Sequence, residues 1–329
     1  QHLLTRRVVI DIDIPPVIGS PRTYGWRRTA RLIVISPSAV GFRKAGSREA
    51  VAIERCAVLE DDLNERLGLI RQELAAGMKP FPTKVELMRT CGDEVRHRYL
   101  YGRKERGGDR SEREARAEER GGNRSEREAR AEERGGNRGG PRPAAESGFG
   151  FLQANAGINE ILKSDIDERV ASLPSSLRKA NGGLRVLDLF CGNGNLSLDL
   201  SAPGLEVEGY DASHESVDAA KTEVRRRGLD GHRYRRAAFP ALLGGLKQKG
   251  KAFSCAVLDP PRSGLSGKAD EMAALELPVL FYVSCHPAVL ARDVERLMVS
   301  GGYRVKEVRM YDMFPHTFHV ESLVVLRRT

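Results

Sequence analysis

From residue 185 to residue 326, short apolar runs alternate with helical patterns. Strand candidates, most of them apolar, lie at 185–190, 206–210, 232–236, 252–258, 279–283, 303–310 and 320–326, and a helical stretch fills 214–227. Strands that alternate with helices pair through right-handed crossovers into a mostly parallel sheet. The pattern restricts this part of the chain to the α/β class, where ligands collect at the carboxyl ends of the strands.

Three strand ends carry chemistry. The run Phe281-Tyr282-Val283-Ser284 ends in Cys285, followed by His286 and Pro287 and then by Leu290, Val294 and Leu297 at helical spacing. A cysteine there can be no more than a small buried hydrophobe. It can equally be a nucleophile held at the ligand edge. The run 185–190 ends in a glycine-rich turn, Cys191-Gly192-Asn193-Gly194-Asn195, and the next run ends in Asp211. Glycines let the backbone approach a ligand closely, and an acid after the second strand can bind two ribose hydroxyls. Nicotinamide and S-adenosylmethionine sites share this spacing. Ser197 stands where G-x-G-x-x-G has its third glycine, and the fourth run ends in Asp259-Pro260-Pro261-Arg262. Both details favour S-adenosylmethionine, although Asp-Pro-Pro alone is also an ordinary turn.

The 329 residues suffice for two domains with cores of their own. The net charge of +9 and pI near 9.4 suit a polyanionic partner such as nucleic acid. Cys56, Cys91, Cys191, Cys255 and Cys285 are odd in number and contain no C-x-x-C pair. That usage indicates neither a disulfide framework nor a metal site, and a reducing, cytoplasmic setting is expected. No signal peptide or apolar run of transmembrane length is evident, so no membrane partner is expected. The chain opens on Gln1 rather than methionine, so a longer natural N-terminus is expected.

Residues 1–102 read as a smaller α+β unit. Strand patterns appear at 8–14, 30–35, 40–43, 85–88 and 95–101. A helix is expected from Leu59 to about Ala75, with Leu63, Leu67, Ile70 and Leu74 on one face and Asp61 and Asp62 in its first turn. Arg22, Arg27, Arg28, Arg31, Arg43, Lys44 and Arg48 cluster here, either as a solvated face or as phosphate contacts. Residues 103–147 hold a charged low-complexity repeat, Gly107-Gly108-Asp109-Arg110-Ser111-Glu112-Arg113-Glu114-Ala115-Arg116, copied from Gly121 onward. It has no apolar face to bury and reads as an exposed linker. The third unit is 148–329.

The ordered motifs resemble those of the RNA (uracil-5-)-methyltransferases, which make 5-methyluridine in tRNA or 23S ribosomal RNA. Phe151-Leu152-Gln153-Ala154-Asn155 resembles the family's Phe-x-Gln-x-Asn segment, and residues 188–195 its cofactor loop. Asp259 to Arg262 resembles Asp-Pro-(Pro/Ala)-Arg, and Ser284-Cys285-His286-Pro287 resembles Ser-Cys-Asn-Pro. The segment 312–322, through His319-Val320-Glu321-Ser322, resembles the C-terminal motif. Tyr24-Gly25-Trp26-Arg27-Arg28, the stretch 41–47 and Cys56-Ala57-Val58-Leu59 are most similar to the ribosomal-RNA branch.

The resemblance implies a class I methyltransferase: a Rossmann-like α/β fold with a mostly parallel sheet, preceded by the smaller domain. It implies Cys285 as nucleophile and Glu321 as base. Gln153, Phe190, Gly192, Gly194, Asp211 and Asp259 would contact S-adenosylmethionine, and Arg262 and His286 the substrate. The implied partner is RNA, acted on by a monomer. Several positions depart from the family. His286 replaces asparagine, and Ala237-Ala238 stand where relatives carry an acid near the adenine. No TRAM β-barrel is expected within these residues, and the linker is expected to replace the later strands of the central domain. Cys56 matches only the last cysteine of the family's iron–sulfur set, so no four-cysteine cluster is expected. Two other readings stay open: methylation of an exocyclic nitrogen through Asp-Pro-Pro, and an RNA-binding protein without turnover.

Overall fold

In the N-terminal unit, residues of alternate parity are buried along β1 (Thr29–Ser36), where Ala30, Leu32 and Val34 face inward. That period of two is what a strand with one buried face requires. β1 pairs antiparallel with β2 (Ala39–Arg43) and with β4 (Lys84–Arg89). β3 (Ala50–Ala52) and β5 (Val95–Leu100) complete a sheet of order β3-β2-β1-β4-β5. Helix α1 (Asp61–Ala75) covers one face, and its Leu63, Leu67, Ile70 and Leu74 are fully buried. The Asn64 side chain ties the preceding loop to the helix, accepting from Cys56 N–H at 2.8 Å and donating to the carbonyls of Cys56 and Leu59. The computed structural model describes residues 13–44, 46–90, 93–101, 153–247 and 253–329. Most of the strand expected at 8–14, the repeats of 103–147, Cys91 and Phe151-Leu152 lie outside the described residues.

Three residues of the basic cluster face acids within the unit. Arg28 pairs with Glu60 and Asp93, Arg31 with Glu86, and Lys44 with Glu49. Arg22, Arg43 and Arg48 are exposed. The cluster is thus in part a network that holds the small domain together.

The C-terminal unit begins with α2 (Ala156–Ala171), capped by Asn155, whose Oδ1 accepts from Ile158 N–H at 3.3 Å. Its elements then run β6 (Arg185–Leu189), β7 (Glu206–Asp211), α3 (His214–Arg227), β8 (His232–Arg236), α4 (Phe239–Lys247) and β9 (Cys255–Leu258). They continue with α5 (Ala269–Ala273), β10 (Val279–Ser284), α6 (Pro287–Gly301), β11 (Tyr303–Tyr311) and β12 (Glu321–Arg328). The seven strands stand in the order β11-β12-β10-β9-β6-β7-β8. The run from β10 to β8 is parallel, and β12 is antiparallel to both β10 and β11. β9 and β10 are buried along their whole length, as strands covered on both faces must be.

The segment ahead of β1 serves the C-terminal unit. Ile14 lies in its core, and Ile18 forms a parallel bridge with Tyr311. Arg28 N–H donates to the Ala154 carbonyl at 2.9 Å, so the small domain is stitched to the start of α2.

Candidate active site

β6 is the pivot of the large sheet. β7 and β8 add on one side of it, β9 and β10 on the other. The chain therefore reverses its winding between β6 and β9, and a crevice opens outside the carboxyl ends of those strands. Leu189 of β6 is paired with Leu258 of β9, and Asp259 N–H donates to the Leu189 carbonyl at 3.4 Å. The glycine turn and the Asp-Pro-Pro-Arg loop, far apart in sequence, thus leave the sheet side by side.

The glycine turn is built from unusual backbone. Phe190, Gly192 and Gly194 all have positive φ, at 63°, 53° and 84°. Gly192 N–H donates to Asp211 Oδ2 at 3.0 Å, and Ser213 N–H to Asp211 Oδ1 at 2.7 Å. Asp211 thereby fixes the turn, and each of its oxygens keeps a second lone pair for another donor. Beneath the turn, Ser197 donates to Asp188 Oδ2 at 2.5 Å and meets the Tyr234 hydroxyl at 2.7 Å. All three side chains are buried. Burial pushes the Asp188 carboxyl up to about 7, the Ser197 hydrogen bond opposes that rise, and the nearby Asp259 and Asp211 add to it. On the other flank, the Asn195 and Asn159 amides exchange two 3.0 Å hydrogen bonds, which join the turn to α2. Phe190 packs on Phe239 with ring centroids 4.7 Å apart.

A β-carbon added at Gly192 would meet nothing within 4 Å, so the backbone there faces open space. At Gly194 it would lie 2.7 Å from Leu198 Cγ and 3.1 Å from the Tyr234 hydroxyl. An open glycine, a clamped one and an acid between them fit the adenosine-and-ribose end of S-adenosylmethionine. Gly194→Ala combines a disfavoured φ with that clash, and a left-handed L-residue alone costs about 1–2 kcal/mol. The variant should bind S-adenosylhomocysteine at least about tenfold more weakly by calorimetric titration. Unchanged affinity would mean that the turn does not hold the cofactor.

The second half of the site lies at the end of β10. Ser284 is paired with Ser322 across the antiparallel β10–β12 ladder. One residue further along this register, Cys285 stands beside Glu321. Glu321 is 5% exposed, and burial, reinforced by Asp259, holds its carboxyl well above the usual carboxylate range. Cys285 is half-buried. Burial pushes its thiol up and the Glu321 charge adds to this, while the Arg262 guanidinium, which hydrogen-bonds the sulfur, opposes the rise. Asp259 keeps part of its surface exposed, yet the protein packed around its carboxyl pushes it up to about 7. Cys285, Glu321, Arg262 and Asp259 therefore form one electrostatically coupled group at the switch point.

His286 has a structural task besides any other. Its Nδ1 accepts from Val289 N–H at 3.4 Å and caps α6, whose N1 residue is Pro287. The ring is exposed. Sequence reasoning missed Asp293. This acid is 1% exposed in the apolar stripe of α6. Its Oδ2 accepts from Leu265 N–H and from the Tyr282 hydroxyl, both at 2.8 Å. Gly264, with φ of 67°, sits against the same carboxylate. Asp293 thus holds the Arg262 loop to the helix that follows Cys285. An acid between Leu290 and Val294 on an otherwise apolar face was the available signal.

The family model described as tRNA (Uracil-5-)-methyltransferase matches residues 150–329. The 23S rRNA (uracil(1939)-C(5))-methyltransferase RlmD of Pseudomonas fluorescens is 31% identical over 92% of this chain and 66% of its own length. Its Pseudomonas putida counterpart is 32% identical over 92% and 68%. That of Vibrio parahaemolyticus is 30% identical over 100% and 75%. The chain spans about two thirds of the length of the first of these relatives. The fold is similar to that of Pyrococcus abyssi tRNA (uracil-54, C5)-methyltransferase, solved in complex with S-adenosyl-L-homocysteine. The TM-score is 0.65 at 20% identity, over 98% of this chain and 80% of that one. A family model over more than half of the chain and relatives this similar along most of it lead to one assignment: the chain belongs to the RNA (uracil-5-)-methyltransferases, S-adenosylmethionine-dependent enzymes that methylate C5 of uridine.

Proposed function

We propose that the chain methylates C5 of one uridine in 23S ribosomal RNA, the one for which its relatives are named, through a covalent bond between Cys285 and C6 of the base. The observation that carries the reading is the position of Cys285 beside Glu321 on neighbouring strands, with Arg262 on the sulfur.

C5 of uracil is a poor nucleophile. Addition of the Cys285 thiolate to C6 breaks the C5=C6 double bond and leaves an enolate whose electron pair is available at C5. Arg262 favours the thiolate over the thiol. S-adenosylmethionine, when bound, supplies the methyl group as the electrophile. Gly192, Gly194 and Asp211 would hold it, with Gln153 and Phe190 at its border and Asp259 between it and the base. After transfer, C5 carries both a methyl group and its original proton. Glu321 removes that proton, the C–H electron pair restores C5=C6, and the C6–S bond breaks to return the thiolate. Charge coupling suits this order. While the sulfur is a thiolate it disfavours ionised Glu321. Once it is a neutral thioether that opposition is gone, so the carboxylate is easier to form when its step arrives.

The exocyclic-nitrogen reading leaves Cys285 without a use, and a turnover-free binding protein leaves the Cys285–Glu321 pair without one. The test is to incubate the purified protein with S-adenosylmethionine and either unmodified 23S rRNA or unmodified tRNA. Nuclease fragments are then mapped by mass spectrometry. One 5-methyluridine in the 23S transcript is expected. Methylation of tRNA alone would move the substrate to the tRNA branch, and a methylated exocyclic nitrogen would overturn the C5 chemistry.

A further inference from the structure

Three residues before Glu321 stands Phe318, which is 91% exposed. Exposure of a whole phenyl ring has no folding rationale, and the loop that carries it is not loose. Thr317 N–H donates to the Phe314 carbonyl at 3.1 Å, the Thr317 hydroxyl donates to the same oxygen at 2.7 Å, and His319 N–H donates to Thr317 Oγ1 at 3.2 Å. His316 takes a positive φ of 68° within the turn. Its ring stacks on Tyr24, with centroids 4.5 Å apart and planes 30° apart. Tyr24 itself is 60% exposed and belongs to the segment ahead of β1. Phe318 leans on His319 at 4.2 Å, His319 meets Phe314 edge-on at 6.0 Å, and Phe314 meets the buried Trp26 edge-on at 6.1 Å. A ladder of rings thus runs from a buried anchor to an exposed face, with the Tyr24–His316 stack on the same loop.

The chemistry next to this ladder makes a demand on the RNA. A thiolate adds to C6 from above the plane of the base. In a stacked strand, that face is covered by the neighbouring bases. The target must therefore leave the stack, and its neighbours lose their stacking partner. Consecutive Cα atoms are about 3.8 Å apart, so Phe318 lies within about 11 Å of Glu321 along the chain. That is the reach of a nucleotide flanking the one at Cys285. Aromatic side chains accept unstacked RNA bases of any sequence, because every base has a π-face.

We propose that Phe318 and the Tyr24–His316 pair are a stacking platform for the bases that flank the target uridine, and that they hold this uridine out of the strand. The proposal rests on the reading of the chain as an enzyme acting on RNA uracil. The platform unites the two ends of the chain, since Tyr24 comes from the N-terminal segment and Phe318 from the loop leading into β12. It positions substrate and takes no part in bond making.

The test uses the full chain and RNA oligonucleotides with 2-aminopurine on either side of the target uridine. S-adenosylhomocysteine is present for the binding arm. Wild type should quench one probe on binding, and Phe318→Ala should leave it brighter at saturating protein. In turnover with S-adenosylmethionine, Phe318→Ala should raise KM for RNA about 10- to 100-fold with a smaller change in kcat, and Phe318→Tyr should restore it. The exposure of the ring means that Tm should not move, so a folding defect is separable. Identical emission and identical KM in Phe318→Ala would overturn the platform, and would also be the outcome if the ring served a protein partner. A wild type that makes no 5-methyluridine on any RNA would count against the parent reading. In that case the emission difference still decides the platform.

Discussion

Cys285→Ala should abolish formation of 5-methyluridine and of any covalent RNA–protein species. The loss should be at least about 10³-fold, because without a nucleophile at C6 no electron pair develops at C5. Glu321→Gln should behave differently. The amide keeps the shape of the buried side chain but cannot accept the C5 proton. The thiolate can still add and the methyl group can still move, yet the adduct cannot eliminate. Turnover should fall by roughly 10²–10⁴-fold, the range for removal of a general base. A cross-linked species that requires S-adenosylmethionine should accumulate on denaturing gels. RNA containing 5-fluorouridine should trap the same species with wild type, since fluorine cannot leave as a cation. An active Cys285→Ala enzyme would sink the mechanism. A Glu321→Gln enzyme that still turns over without accumulating an adduct would assign the proton removal elsewhere, with Asp259 as the next candidate by position.

Asp188→Asn should stabilise the protein at pH 8. Asp188 is 1% exposed, and its carboxyl is pushed up to about 7 from an ordinary 3.8. A carboxylate whose folded pKa is raised binds its proton more tightly in the folded state than in the unfolded chain. Below about pH 4 both states hold the proton and the shift costs nothing. Between about 4 and 7 the unfolded chain loses its proton first, so stability falls as pH rises. The full cost is present above about 7, and for a shift of this size it is roughly 2–4 kcal/mol. The asparagine side chain would carry no charge and could still accept from the Ser197 hydroxyl. The variant should therefore gain about 5–10 °C in Tm at pH 8, gain little at pH 4, and show a flatter stability–pH curve. Equal or lower stability at pH 8 would mean that the charged carboxylate is better solvated than its burial implies. A weaker hold on S-adenosylhomocysteine in the same variant would show that the destabilising charge is kept for cofactor binding.

Elements with a local cause were legible in the order of the residues alone. Helix α3 and strand β8 lie where the pattern set them, because helical and strand periods need only neighbouring residues to be visible. The strand-end positions of Gly192, Asp211, Asp259 and Cys285 followed from the same runs, and their order along the chain carried the resemblance to the methyltransferases. Not every local signal was taken up. Ile158, Leu162, Ile166 and Val170 are spaced as one buried face of α2, behind an asparagine cap, a helix that the strand pattern from residue 185 onward does not include. α4 was missed for a better reason, since Gly244 and Gly245 break its helical propensity.

Which distant groups meet was settled by the three-dimensional fold. Glu321 reaches Cys285 because β12 inserts antiparallel between β10 and β11, and a shift of one residue in that register would turn the carboxylate to the other face of the sheet. Asp293 grips the Arg262 loop through a 2.8 Å hydrogen bond that no spacing rule encodes. Arg28 and Arg31, which sequence could not tell from phosphate contacts, are drawn to Glu60 and Glu86 by the folding of the small sheet. Tyr24 stacks on His316 from the other end of the chain. Local periodicity fixes where a strand or helix begins. The choice of partner for each strand is set by burying both faces of the sheet at once, a global requirement, and the coupled pKa shifts at Cys285 and Glu321 exist only after that choice is made.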